Sequence, residues 1–323
     1  MTLSHTLNMK IVKLSESFGR YADRCFISIS IIKLKQQMKL KKITKWLIII
    51  IITAVVLLAY ASLETRWIKI THVSLESPDI PRAFDGKRIV FVSDIHHGEA
   101  LSIERVQKLV QRVNDLQPDI IILGGDYISL DEKYIKPVFS ELHKLKSKYG
   151  VFGVMGNHDY FVNGDLSRKM MVTNGIKQCD NKSYWVKINK DSIKIGGVDD
   201  PGGSTPTIDS TVYDVKKADF CILISHRPEY IKELKTDLID VTLSGHTHGG
   251  QVTLFGLWSP ILPSDNSSWA SISLTKESQK YSYGLTHPQA NMQSYITSGI
   301  GTRSPHFRFF RRPEIAVLEL KRK

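Results

Sequence analysis

Seven residues able to offer an oxygen or an imidazole nitrogen to a cation stand in five short polar clusters of this 323-residue sequence: Asp94, His96, Asp126, Asn157, His226, His246 and His248. The clusters read Ser93-Asp94-Ile95-His96, Gly124-Gly125-Asp126, Gly156-Asn157-His158-Asp159, Ser225-His226 and Ser244-Gly245-His246-Thr247-His248. A lone histidine is usually structural, but two Asp, one Asn and four His without a thiolate suit Mn, Fe, Zn or Ni better than Ca. Seven donors exceed what one ion with open positions needs, and they suit two ions that share a bridging carboxylate. Asp94/His96 and His246/His248 are each spaced i, i+2, which on an extended chain points both side chains to one side. Glycines beside Asp126, Asn157 and His246 allow sharp turns and close backbone approach.

Each cluster follows a β-branched or apolar run. RIVFV (88–92), IIIL (120–123), VFGVM (151–155), FCILIS (220–225) and DVTLS (240–244) are strand candidates. Amphipathic stretches alternate with them, one carrying Val106, Leu109, Val110 and Val113 on one face and another spanning about Pro137–Tyr149. An earlier alternating run (Trp67, Ile68, Ile70, Val73, Leu75) reads as an entering strand, and a turn from Pro78 to Gly86 separates it from RIVFV. This alternation predicts an α/β layered domain, and ligand sites in such sheets form at the carboxyl ends of strands. Five segments are thus expected to converge on one edge.

The net charge of +12 is unevenly spread, with ten Lys/Arg against two acids in residues 1–45. The remainder is only mildly basic, a balance that suits many anionic substrates without implying nucleic acid, so specific nucleic-acid binding is not expected. Residues 46–63 form eighteen uncharged, mostly apolar positions, enough for a short membrane-spanning helix. Lys33, Lys35, Lys39, Lys41, Lys42 and Lys45 precede it, whereas Arg66 and Lys69 follow. The positive-inside rule puts the N-terminus in the cytoplasm and the rest outside. A cleaved signal segment is the competing reading, because Ala59-Tyr60-Ala61 has the small-x-small form. The expected organisation is a basic extension (1–45), an anchor or signal segment (46–63) and a globular domain (64–323). Residues 1–37 carry an apolar patch at Phe26–Ile32 too short to span, and Met38 is a conventional start. Cys25, Cys179 and Cys221 have no CxxC spacing and read as small hydrophobes.

The ordered motifs SDIH, GGD, GNHD, SH and SGHTHGG resemble those of the calcineurin-like metallophosphoesterases. Over roughly residues 68–320, including the tail SGIGTR…RRPEIAVLEL, the chain is similar to their membrane-associated bacterial branch, that of the YkuE- and YaeI-type phosphodiesterases. The resemblance implies a layered α-β-β-α sandwich behind one N-terminal transmembrane helix. It implies Asp94, His96 and His248 at one ion, Asn157, His226 and His246 at the other, and Asp126 bridging both. His158 would face the substrate, stabilising phosphoryl oxygens or protonating the leaving group, and Asp159 would orient a histidine. Two ions ~3.5–4 Å apart clamp a phosphate and lower the pKa of a shared water enough to supply hydroxide. Many relatives carry a second Asp three residues after the bridging one, where this sequence has Ser129.

The resemblance therefore implies a two-metal hydrolase of phosphodiesters or phosphomonoesters at a bacterial inner membrane, single-pass, with a lipid- or nucleotide-linked substrate. The alternatives are a UDP-2,3-diacylglucosamine-type pyrophosphohydrolase, whose substrate is cytoplasmic, and a non-catalytic scaffold, which the complete donor set disfavours. Of the neighbours, His97 is read as structural and His143 as a surface residue. Gly249, Gly250 and Gln251 are read as a turn, and Arg227 and Arg303 as solvated. Specificity is assigned to irregular loops at 160–180, 200–217 and 256–290, the last holding Trp258 and Trp269.

Overall fold

A computed structural model describes residues 2–263, 270–272 and 279–323; Trp269 lies outside them, and the described part of 256–290 is not wholly irregular, since Ile261–Pro263, Ala270–Ile272 and Gly284–Gln289 are strands. The chain divides into two compact units, Met1–Ala59 and Tyr60–Lys323. The first is helical throughout its described residues, as part of α1 (Thr2–Glu64), whose last residues from Tyr60 belong to the second. The stretch of α1 from Ser17 to Glu64 is long and apolar enough to cross a membrane. The basic extension and the apolar segment are thus one element, because nothing between residues 2 and 64 breaks a helix: there is no proline, and Gly19 alone is tolerated. Cys25 is exposed on α1, unlike the buried Cys179 and Cys221.

The second unit opens with β1 (Lys69–Ser77), β2 (Arg88–Val92), α2 (Ile103–Asp115), β3 (Ile120–Leu123), α3 (Ile135–Leu142) and β4 (Val151–Gly153). It continues through α4 (Asn157–Thr173), β5 (Lys177–Gln178), β6 (Ser183–Ile188), β7 (Asp191–Gly197), α5 (Asp209–Val212), β8 (Cys221–Ile224) and α6 (Glu229–Glu233). It closes with β9 (Val241–Ser244), β10 (Ile261–Pro263), β11 (Ala270–Ile272), β12 (Gly284–Gln289), β13 (Met292–Ile296) and β14 (Glu314–Arg322). Two six-stranded sheets result, ordered β1-β14-β2-β3-β4-β5 and β12-β13-β9-β8-β7-β6, beside a small β10-β11 pair.

The layering follows from strands that are apolar on both faces. Ile89 and Phe91 of β2 join Ile222, Ile224, Val241 and Leu243 of the other sheet in a core between the sheets. Val90 and Val92 point the other way, into a second core with Val106, Leu109 and Val113 of α2 and Val138 and Phe139 of α3. A third cluster, with Cys221, Leu223 and Ile231, covers the outer face of the second sheet. The architecture is an α-β-β-α sandwich. β2, β3 and β4 run parallel, as do β7, β8, β9 and β13, so their carboxyl ends gather at one edge.

Two local expectations need correction. α3 stops at Leu142 and does not reach Tyr149; the chain turns there and enters β4 through Gly150 at φ 117°. The stretch 160–180 is not an irregular loop: α4 occupies it to Thr173. Its helical periodicity is hidden because Asn163, at φ −164° and ψ 90°, kinks it. Beyond the kink Leu166, Met170 and Met171 pack on the core.

Candidate metal centre

The loops after β2, β3, β4, β8 and β9 are sewn together by their backbones. Asp94 N–H donates to the Gly125 carbonyl (2.9 Å), His96 N–H to that of Asp126 (3.0 Å) and Gly245 N–H to that of His226 (3.1 Å). The Asp94 carboxylate accepts the His246 N–H at 2.9 Å. Glycine is needed at Gly156 and Gly245, since a Cβ at either would collide with the carboxylate of Asp126 or Asp94 respectively. Asp94 (φ 52°), His96 (48°), Asp126 (54°), His246 (66°) and His248 (52°) all have left-handed backbone. Each such residue costs roughly 1–3 kcal/mol and persists only where its surroundings enforce it, which is characteristic of functional sites. The i, i+2 pairs therefore do not lie on extended chain. The left-handed turns send His248 toward Asp94 and His96, and His246 toward Asp126 and His226.

The donor atoms converge. Oδ2 of Asp126 is 3.3 Å from Nε2 of His96 and also 3.3 Å from Nε2 of His226. Nε2 of His96 is 3.2 Å from Nε2 of His248, which is 3.7 Å from Oδ1 of Asp94. On the other side, Oδ1 of Asn157 is 3.2 Å from Nε2 of His226. Nδ1 of His226 lies 2.7 Å from the Gly124 carbonyl, an acceptor that requires the proton on Nδ1. That leaves a lone pair on Nε2 facing two oxygen acceptors. Such a set of acceptors, all buried apart from the half-buried Asn157, repel one another unless a cation lies among them. Asp94/His96/His248 and Asp126/His226/His246 each have donors close enough to hold one, and Asp126 also groups with His96 and His158.

The electrostatics agree. Burial opposes a charge on His226, but Asp126 and Asp94 outweigh it and push the imidazole up to about 10. Burial pulls His96 down to about 3 and holds His246 and His248 well below the usual histidine range. Burial raises Asp94 to about 6. His96, His246 and His248, neutral, offer lone pairs to a cation, and the pull of Asp126 and Asp94 for a positive charge at His226 is one that a bound cation would satisfy in place of the second proton.

A model of the calcineurin-like phosphoesterases matches residues 87–250. The chain belongs to this family. It is a hydrolase of phosphoric ester bonds, and the family implies divalent metal ions. Among its relatives is an uncharacterized metallophosphoesterase of Campylobacter jejuni, 31% identical over 83% of this chain and 68% of the relative. Metallophosphoesterase YkuE of Bacillus subtilis is 29% identical over 80% and 87% respectively. A zebrafish (Danio rerio) protein named as a transmembrane protein with metallophosphoesterase domain is 26% identical over 78% of this chain and 57% of its own length.

Around the centre of this metallophosphoesterase, several residues differ from the sequence reading. His158 sits beside His96, ring centroids 4.7 Å apart, and its buried Nδ1 has no hydrogen-bond partner among the described residues. Burial lowers its pKa. Asp159 does not orient a histidine. One of its oxygens accepts the N–H groups of Asp126 and Gly156 and the other that of Tyr127, all at 2.9 Å, so it clamps the backbone that carries Asp126. As the third residue of α4 it reaches back to the residue before the helix, the geometry of a capping box. Arg227 is not free in solvent: its Nε donates to buried Asp200 at 2.6 Å. The pair lines a cavity of about 360 Å³ that opens beside His226, together with Asp199, Thr205, Pro206 and Tyr230. Arg303 is half-buried, within the field of His96 and His158. His97 Nδ1 donates to the Leu101 carbonyl (2.8 Å), and the ring packs on Tyr134, away from the donors. His143 is exposed. Gln251 is tied to the carbonyls of Arg303 and Pro305, and Gly249 and Gly250 turn at positive φ. Ser129 donates weakly to the His96 carbonyl, 3.4 Å away.

One supporting residue was invisible in the sequence. Arg308 is fully buried, and its guanidinium donates to the carbonyls of Ser298 (2.8 Å) and Gly301 (2.6 Å). That segment in turn donates the Gly301 N–H to the Asp94 carbonyl at 2.7 Å. Within FRFFRR (307–312) nothing in the sequence distinguishes this arginine from the others; only the fold encloses it.

Proposed function

We propose that this protein is a membrane-anchored, two-metal hydrolase of phosphodiesters or phosphomonoesters. One ion is held by Asp94, His96 and His248, the other by Asn157, His226 and His246, and Asp126 bridges them. The observation that carries the reading is the position of Asp126 Oδ2, equidistant at 3.3 Å from an imidazole of each set. The donors are all oxygen and imidazole nitrogen, suited to Mn, Fe, Zn or Ni. When bound, the two ions offset phosphoryl charge and lower the pKa of a water to near neutrality.

The chain's own residues do the rest. Asp126 keeps its carboxylate charged, because burial is outweighed above all by the imidazole of His226. His158, neutral by burial, presents a ring N–H to a phosphoryl or leaving oxygen. Its backbone N–H donates to Oδ1 of Asp126 at 2.8 Å, which fixes the ring beside the bridging group. The cavity beside His226 gives the leaving group a place, and the Arg227–Asp200 pair offers it polar contacts.

Chelator-stripped full-length protein in detergent is expected to lose hydrolysis of an aryl phosphodiester and to regain it with Mn²⁺, binding two ions per chain. One ion per chain at full activity, or activity without metal, overturns the two-metal reading. The lysines before residue 46 further support a cytoplasmic N-terminus and an extracytoplasmic catalytic unit at a bacterial cell membrane. A reporter fused after Lys323 should then be active only outside the cytoplasm. Cytoplasmic reporter activity would favour a UDP-linked pyrophosphate substrate instead.

A further inference from the structure

A patch of exposed apolar side chains on the catalytic unit takes no part in the metal centre. The tight turn Leu254–Leu257, closed by the Leu257 N–H to the Leu254 carbonyl at 3.0 Å, puts Leu254 (57% exposed), Phe255 (70%) and Leu257 (87%) into solvent. Phe255 packs on Phe310, ring centroids 5.3 Å apart. Phe310 packs on Tyr60 at 5.8 Å, and Tyr60 meets the exposed Trp67 edge-on at 6.1 Å. The patch is therefore continuous from Trp67 to Leu257.

Two features separate it from scattered surface hydrophobes. Phe255 (φ 53°) and Phe310 (φ 54°) both have left-handed backbone, which a bulky aromatic adopts only when held there. The hold is specific. Thr253 Oγ1 donates to the Phe310 carbonyl (3.0 Å) and accepts the Gly256 N–H (2.9 Å), and buried Glu64 accepts the Phe310 N–H (2.8 Å). Strain that presents aromatics to solvent does nothing for a core.

The chain itself names the occupant. The apolar run that can cross a membrane continues directly into Tyr60, the ring at the middle of the patch. A side chain at the end of a spanning helix lies in the headgroup layer, where Trp, Tyr and cationic residues are favoured. The exposed cations Arg66, Lys69 and Arg312 flank Trp67 in sequence or contact, Arg312 Nε donating to the Trp67 carbonyl at 2.8 Å. They complement anionic headgroups.

We infer that the Leu254–Leu257 turn, with Phe310 and Trp67, is a lipid-contacting surface that seats the catalytic unit on the bilayer. The inference rests on α1 being a membrane anchor. The turn follows His248 by six residues, and Val252 pairs with Phe309, so seating it fixes how the metal centre faces the headgroups.

The test uses the full chain with Cys25→Ser, reconstituted in bilayers of phosphatidylcholine and phosphatidylglycerol. Nitroxide labels are placed singly at Leu257→Cys, at Val56→Cys in α1 and at exposed Tyr213→Cys, and collisions with O₂ are compared with those with a water-soluble nickel chelate. At Leu257 O₂ collisions are expected to dominate, as at Val56, with the order reversed at Tyr213. A water-facing Leu257 with a lipid-facing Val56 overturns the seated surface and leaves the anchor standing. Water-facing labels at both positions overturn the anchor and the surface together.

Discussion

Asp126→Asn is expected to lower kcat/KM by at least on the order of 10³-fold, about 4 kcal/mol of lost transition-state stabilisation, and to leave no more than one ion bound per chain. Asparagine preserves shape and tolerates left-handed backbone, so the turn at φ 54° survives. What changes is charge and lone-pair count. Asp126 Oδ2 faces His96 and His226 at 3.3 Å each, while Oδ1 accepts the His158 N–H at 2.8 Å. An amide has one oxygen for these tasks. If the oxygen stays with the His158 N–H, an NH₂ points at both imidazole sets and excludes a shared cation. If the amide flips, its NH₂ opposes the His158 N–H. Metal content by mass spectrometry and hydrolysis of an aryl phosphodiester check the prediction together. Two tightly bound ions with near-normal turnover would refute a bridging role.

The second large effect is expected at His158. His158→Ala should keep both ions yet lose kcat by roughly 10²–10³-fold, the usual worth of a positioned proton donor. The split between binding and turnover follows from geometry. The contact that His158 makes with Asp126 comes from its backbone N–H, which alanine retains, and alanine suits the first turn of α4. The lost group is the ring beside His96. Glutamine at this position distinguishes the two roles. It restores much of the rate if the ring only donates a hydrogen bond, and little if it delivers a proton to the leaving oxygen. Loss that grows with leaving-group pKa would point the same way as the second result. Unchanged turnover in the alanine variant would remove His158 from the reaction.

The residues that carry these predictions were legible because their signals are local. A buried strand is a short β-branched run, and the polar residue that ends it lies within two or three positions, so RIVFV–SDIH and DVTLS–SGHTH announce both element and site. Parallel strands gather their carboxyl ends on one edge, which brings such clusters together without knowledge of the sheet order. The donor types also follow from sequence alone, since the side chain itself fixes whether the donor atom is an oxygen or an imidazole nitrogen.

Other features depend on contacts that sequence spacing does not encode. The i, i+2 rule assumed extended chain, whereas left-handed turns at His246 and His248 divide those two histidines between different donor groups. Asp159 looked like a partner for a histidine, yet three N–H groups, two of them more than thirty positions away, claim its carboxylate. Arg308 reads as a surface arginine until the segment from Ser298 to Gly301 folds over it. The aromatic patch joins Tyr60 to Phe310 across the length of the catalytic unit. By itself, then, the sequence determined which atoms can bind cations and on which strand ends they lie. The tertiary structure alone decided which of them face one another, because that depends on backbone turns enforced by distant partners.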